Sequence, residues 1–145
     1  MNNRNITITL SLMMCLLTLS GIALAHGTEM HGKMVPADAQ MKKLHAIMPM
    51  FSVASAKLEA ALEKGEVTAV EAEAKKITAA IPDLKKSKPH KNIKQQRKFV
   101  EQASKLEETI NSTTDLAKKG DLAAAKRAFK DVEEVCAACH AKFRD

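Results

Sequence analysis

The 145-residue chain has no tryptophan, no tyrosine and only four phenylalanines. A nucleic-acid surface normally interleaves aromatic rings with its basic residues, so this lack argues against nucleic acid as partner. β-Branched residues are few and never alternate with polar ones, which leaves no strand signal. Five glycines and four prolines leave few places for the chain to break. No carboxylate pair and no nucleophile with a nearby base can be placed, so nothing suggests a hydrolytic enzyme. Three cysteines are present, and two of them stand close together near the end of the chain.

The first 25 residues are not domain material. They hold one charge, Arg4, then an apolar run from Leu10 to Leu19, then Ala23-Leu24-Ala25. A basic start, a short apolar middle and an A-x-A end describe a secretory signal peptide. The run falls short of the ~20 apolar residues that cross a bilayer, so no membrane span is expected after cleavage. Removal would take Cys15 away and leave only Cys136 and Cys139. The remaining chain carries 22 basic and 17 acidic residues, a net +5. It would lie in a compartment that tolerates disulfides, with a bacterial periplasm as the expected location.

Residues 26–36 read as a flexible polar tail. His26, Met30, His31 and Met34 there favour metals in kind, but no spacing among them is diagnostic. Four segments follow with apolar residues spaced three and four apart. The first carries Met41, Leu44, Met48, Phe51, Ser55, Leu58 and Leu62. The second carries Val67, Val70, Ala74, Ile77 and Ile81. The third carries Phe99, Ala103, Leu106, Ile110, Thr113 and Ala117. The fourth carries Leu122, Ala125, Phe129, Val132, Cys136, Cys139 and Phe143. Each is a stripe about one-third of a helix wide, as bundle helices bury.

The predicted helices span about 37–64, 66–81, 92–119 and 121–143. Gly65 suits the first helix end, Pro82 and Pro89 bracket a lysine-rich connection, Asn92 is a plausible N-cap, and Gly120-Asp121 separates the last two helices. Short links imply antiparallel neighbours. The expected fold of residues 37–145 is all-α, an antiparallel up-down-up-down four-helix bundle. Pro49 falls inside the first helix and predicts a kink there, because Met41 and Leu44 keep the same stripe. The stripes are rich in alanine, which leaves room between helices for a cofactor.

The terminal stretch reads CAACHAKFRD. Cys136, Cys139 and His140 could bind a metal, exchange electrons as a dithiol, or hold a haem. A zinc site wants four ligands, and no second cysteine pair exists. A thioredoxin-like dithiol belongs at a helix start after a strand, and this motif ends a helix. A disulfide across C-x-x-C within a helix is geometrically poor. C-x-x-C-H is the attachment signature of c-type haem. Two thiols add across the two vinyl groups of one porphyrin edge, and the adjacent imidazole is placed to ligate the iron. On a helix the three residues share the buried face.

A signal peptide, four helices and the ending C-A-A-C-H-A-K-F-R resemble the class II cytochromes c, the cytochromes c′ and their low-spin, methionine-ligated relatives. Leu62-Glu-Lys-Gly-Glu66 also looks like the family. The resemblance runs from about residue 37 onward. It implies one covalent haem c, with His140 as proximal ligand and Arg144 beside the proximal face. It also implies electron transfer where a methionine of the first helix is the sixth ligand, or binding of nitric oxide or carbon monoxide to a five-coordinate haem. A homodimer through the first two helices is a further implication.

The family's distal position falls at Met48-Pro49-Met50. Met48 shares the buried stripe with Leu44 and Phe51, whereas Met50 is turned away by about 200°. Met48 is therefore the candidate sixth ligand. Met41, two turns earlier, Met50 and His45 are its alternatives. Should no methionine bind, Phe51 or Ile47 would crowd the distal face. Methionine is also a good core filler, and that reading stays open.

Lys85, Lys86, Lys88, Lys91, Lys94, Arg97 and Lys98 make a dense basic run. Such a run is commonly a solvated face. It could also steer an acidic redox partner.

Overall fold

The computed structural model describes residues 39–144. The signal peptide and tail expected for residues 1–25 and 26–36 lie outside the described residues. Four helices follow one another: α1 (Ala39–Lys64), α2 (Val67–Lys86), α3 (Gln96–Lys118) and α4 (Leu122–Phe143), with one turn of 3₁₀ helix at Ile93–Gln95. No strand occurs among the described residues. The four form an antiparallel up-down-up-down bundle.

The α3 stripe forms its part of the core as expected. Elsewhere Ile47, Ala54 and Ala61 of α1, Leu84 of α2 and Val135 of α4 are also buried, whereas the expected Met41, Met48, Ser55, Val67, Leu122, Cys136 and Cys139 are only half-buried. In α3 the buried residues are Phe99, Ala103, Leu106, Ile110, Thr113 and Ala117, the predicted set. Thr113 is fully buried, and its hydroxyl donates to the Thr109 carbonyl at 2.9 Å, which satisfies the polar group within its own helix. Leu58, Leu62, Ile81 and Ile110 lie at or near zero exposure. Leu58→Ala would empty space that the neighbouring helices only partly refill. Its expected cost is about 2–5 kcal/mol, read as a lower urea midpoint with unchanged helical content.

Tight links set the helix directions. Gly65 closes α1 with φ +73°, a left-handed conformation that side chains rarely adopt. A Cβ there would also stand 3.1 Å from Leu122 Cδ1. Asp121 caps α4, its carboxylate accepting from the Ala124 N–H at 2.9 Å.

Two prolines sit inside helices. α1 runs through Pro49 from Ala39, so the helix does not begin at the proline. α2 continues through Pro82 to Lys86, five residues past its expected end. Proline inside a helix costs about 3 kcal/mol. The extra turn buries Leu84, at 4% exposure, on the same stripe as Ile77 and Ile81. Burying a leucine contributes about 1.5–3 kcal/mol, enough to offset most of that cost. Pro82 itself is exposed, so the carbonyl it deprives of a donor faces the solvent side.

Asn92 does not cap α3. It adopts φ 55°, makes no side-chain cap hydrogen bond, and instead reaches across to α4, donating from Nδ2 to the Lys142 carbonyl at 2.7 Å. The main-chain N–H groups of His90 and Lys91 both donate to the Phe143 carbonyl at 3.1 Å. A helix leaves its last carbonyls without partners, and here the α2–α3 connection supplies them. Gln96 ties the same connection to α2 by donating to the carbonyls of Ser87 and Lys85.

α1 packs along α2, α2 along α3, and α3 along α4, but α1 and α4 touch sparingly. The fourth side of the bundle is therefore open.

Candidate functional site

That open side holds a cavity of about 740 Å³. It lies where the first half of α1, the end of α2, the start of α3 and the last half of α4 meet, as antiparallel order requires. Leu44, Phe51, Leu84, Phe99, Leu106 and Phe129 supply much of its apolar wall. Phe99 meets Phe143 edge to face at 5.3 Å between centroids, which fixes the α3 and α4 walls against each other.

Cys136, Cys139, His140 and Arg144 all line this cavity from α4. The two cysteines and the histidine are half-buried, which gives them access both to the apolar space and to its edge. Arg144, one turn beyond His140, is exposed and marks the end of the helix. Its N–H donates to the His140 carbonyl, so helical geometry extends past the histidine. The hold of His90, Lys91 and Asn92 on residues 142–143 secures this end of α4.

Met48 and Phe51 line the same cavity from α1. The structure thus gathers all six predicted site residues at one place. It separates them from three of the alternatives, Met50, Ile47 and Met41. Met50 lines a smaller groove between α1 and α2, with Val53 and Glu73. Ile47 is buried in the core outside the cavity wall, and Met41 does not reach the wall either. His45 does line the cavity, but its Nε2 lies 3.1 Å from Nε2 of His90, a second wall residue.

The chemistry of the donors narrows the use of the site. Burial pushes the Cys139 thiol up to about 11, with the neighbouring Cys136 adding to the rise. Burial and then Glu133 raise Cys136 as well. Both thiols stay protonated near neutral pH. A disulfide-exchanging dithiol needs the reverse, a thiolate stabilised below the usual value. The haem-free polypeptide should accordingly react slowly with iodoacetamide at pH 8. Its alkylation rate should still be climbing above pH 10, whereas an unperturbed thiol would by then have levelled off. A rate as fast at pH 8 as that of the urea-unfolded chain would contradict the buried thiols.

Among the described residues no group of three or more His, Cys, Asp and Glu side chains is placed to hold a metal ion. A large flat macrocycle fits the site better. The cavity volume lies within the roughly 300–1,000 Å³ of cofactor pockets. Its wall is mainly hydrocarbon. Two thiols three residues apart and an imidazole beside them stand on one of its walls.

A helical bundle left open on one side, with a C-x-x-C-H helix end in the opening, defines a haem-binding bundle. Residues 82–144 match the family model described as Cytochrome C'. The match covers 63 of the 145 residues and is a likeness to the class II cytochromes c, which supports a c-type cytochrome. No curated protein and no solved structure matches the chain. No helix among the described residues is long and apolar enough to cross a membrane.

Proposed function

We propose that the protein is a periplasmic electron carrier with one haem c, bound through thioethers at Cys136 and Cys139, with His140 and Met48 as axial ligands. One observation carries this reading. A single cavity is lined by both cysteines and His140 from α4 and by Met48 from the facing side of α1, while Met50 and Met41 lie elsewhere. The group would supply one-electron redox chemistry, and methionine–histidine ligation raises its potential.

The chain's own residues would do the rest. α4 presents thiols and imidazole on one face. Leu44, Phe51, Phe99 and Phe129 would exclude water from the macrocycle, which would favour the less charged reduced state. Arg144 would place a cation at the cavity edge, one turn beyond His140. Its position at the end of α4 is equally suited to the helix dipole. No residue need act as acid, base or nucleophile, so the role is carriage and not catalysis.

A five-coordinate haem that binds nitric oxide or carbon monoxide is the second reading, and Phe51 favours it. This ring is on the α1 wall one turn from Met48 and could crowd the sixth position. The ferric spectrum of the haem-loaded protein separates the two. A low-spin spectrum with a methionine–iron charge-transfer band is expected. A high-spin spectrum with ready carbon monoxide binding to the ferrous form would overturn the first reading and support the second. A protein from a haem-maturing host without covalent haem would end both.

The basic run supports an acidic redox partner. Lys85 is engaged by Glu107 at 2.8 Å and Arg97 by Glu101 at 3.4 Å. Lys86, Lys91, Lys94 and Lys98 are exposed around the connection that seals the haem end of the bundle. Lys86→Glu with Lys91→Glu should slow association with an acidic partner by about tenfold or more at low salt and flatten its salt dependence. Equal rates at all ionic strengths would remove the patch from partner binding.

A further inference from the structure

We infer that His45 and His90 form a binding site for a divalent, imidazole-preferring transition-metal ion at the edge of the haem cavity. The inference rests on the reading in which Met48, and not His45, binds the haem iron. The two residues are 45 apart in the chain, yet their Nε2 atoms stand 3.1 Å apart and their rings lie within 18° of parallel. Both side chains are exposed, so an ion reaches them from solvent.

The spacing suits one shared ion. Zinc binds imidazole nitrogen at about 2.0–2.1 Å. Two such nitrogens are then about 3.3–3.4 Å apart at the tetrahedral angle and about 2.9 Å apart at a right angle. The observed 3.1 Å falls between these values, so only a small ring movement is needed.

The positions are also held in advance. His45 sits within the long helix α1. His90 follows the buried Pro89, and its N–H is fixed to the Phe143 carbonyl at 3.1 Å. The two ligands therefore come from separate elements that the fold already secures. Without an ion, one Nε2–H donates to the other Nε2. With an ion, the donor ring carries its proton on Nδ1, both Nε2 lone pairs bind the metal, and no proton is released from the neutral pair. No third His, Cys, Asp or Glu joins the pair among the described residues, so water or a small external donor completes the coordination. An ion held this way clasps α1 to the connection that seals α4.

The test is zinc chloride titration of the full-length, haem-loaded protein by calorimetry. Wild type should show a binding phase that His45→Gln or His90→Gln weakens at least tenfold. The same phase should survive His26→Gln with His31→Gln, which removes the metal-favouring residues of the tail. A phase unchanged in both single variants, or lost with the tail pair alone, would overturn the inference. A second measurement needs no variant. Zinc should protect His45 and His90 together from diethyl pyrocarbonate, mapped by mass spectrometry. Full modification of both in saturating zinc would equally overturn it.

Discussion

Serine at both Cys136 and Cys139 should remove every trace of acid-stable haem. Wild-type protein from a haem-maturing host should carry one haem of added mass after denaturation, and acid–acetone should leave it on the polypeptide. The double variant should release all of it. The reason lies in what remains. His140 still lines the cavity, and the apolar wall of α1, α3 and α4 is intact. The double variant can hold haem while folded, but every remaining contact depends on the fold. Each single serine variant keeps one thiol on the wall and should retain haem through one bond. A double variant that still kept haem through denaturation would place the attachment elsewhere.

The second large effect is expected from Met48→Ala. In the proposed state the thioether is the sixth ligand, and alanine cannot replace it. The methionine–iron charge-transfer band should vanish and the ferric iron should become high-spin. The potential should fall by on the order of 0.1 V, a fraction of the ~0.8 V over which axial ligands range. Stability should suffer less, because Met48 is only half-buried. Met50→Ala is the internal control: it lines the other groove and should leave band and potential in place. Loss of the band in Met50→Ala but not in Met48→Ala would invert the assignment. A spectrum indifferent to both would return Met48 to the role of core filler.

Much of this could be read from residue order. The α3 stripe was legible to the residue because a helix face repeats locally, and each of its six positions follows from the last. The α4 stripe carried the cysteines and His140 to the cavity wall, half-buried, for the same reason. Residue order failed where energies from distant elements decided the outcome. Pro82 reads as a helix stop until Leu84 is found buried against the bundle. Asn92 reads as an N-cap until its amide is found on the Lys142 carbonyl, 50 residues away. The meeting of His45 and His90 has no local sign at all. A lysine-rich connection conceals it, and only the placing of that connection over the end of α4 produces it. The different placing of Met48 and Met50 follows from a rotation of about 200°, and the two grooves divide them accordingly.

The open fourth side of the bundle bears on how the protein is made. Each inner helix, α2 and α3, is gripped by two neighbours, whereas α1 and α4 are each gripped chiefly by one. In the haem-free chain amide hydrogen exchange should therefore be graded, slowest in α2 and α3 and fastest in the cavity-facing halves of α1 and α4. The topology is nearly sequential, so the inner hairpin can persist while an outer helix swings away. Of the two outer helices, α4 is the one that carries both thiols. Local opening would thus present Cys136 and Cys139 to an attachment apparatus without unfolding the rest, and reclosure around the haem would end the traffic. The gap proposed to hold the cofactor would then also be the door through which it enters.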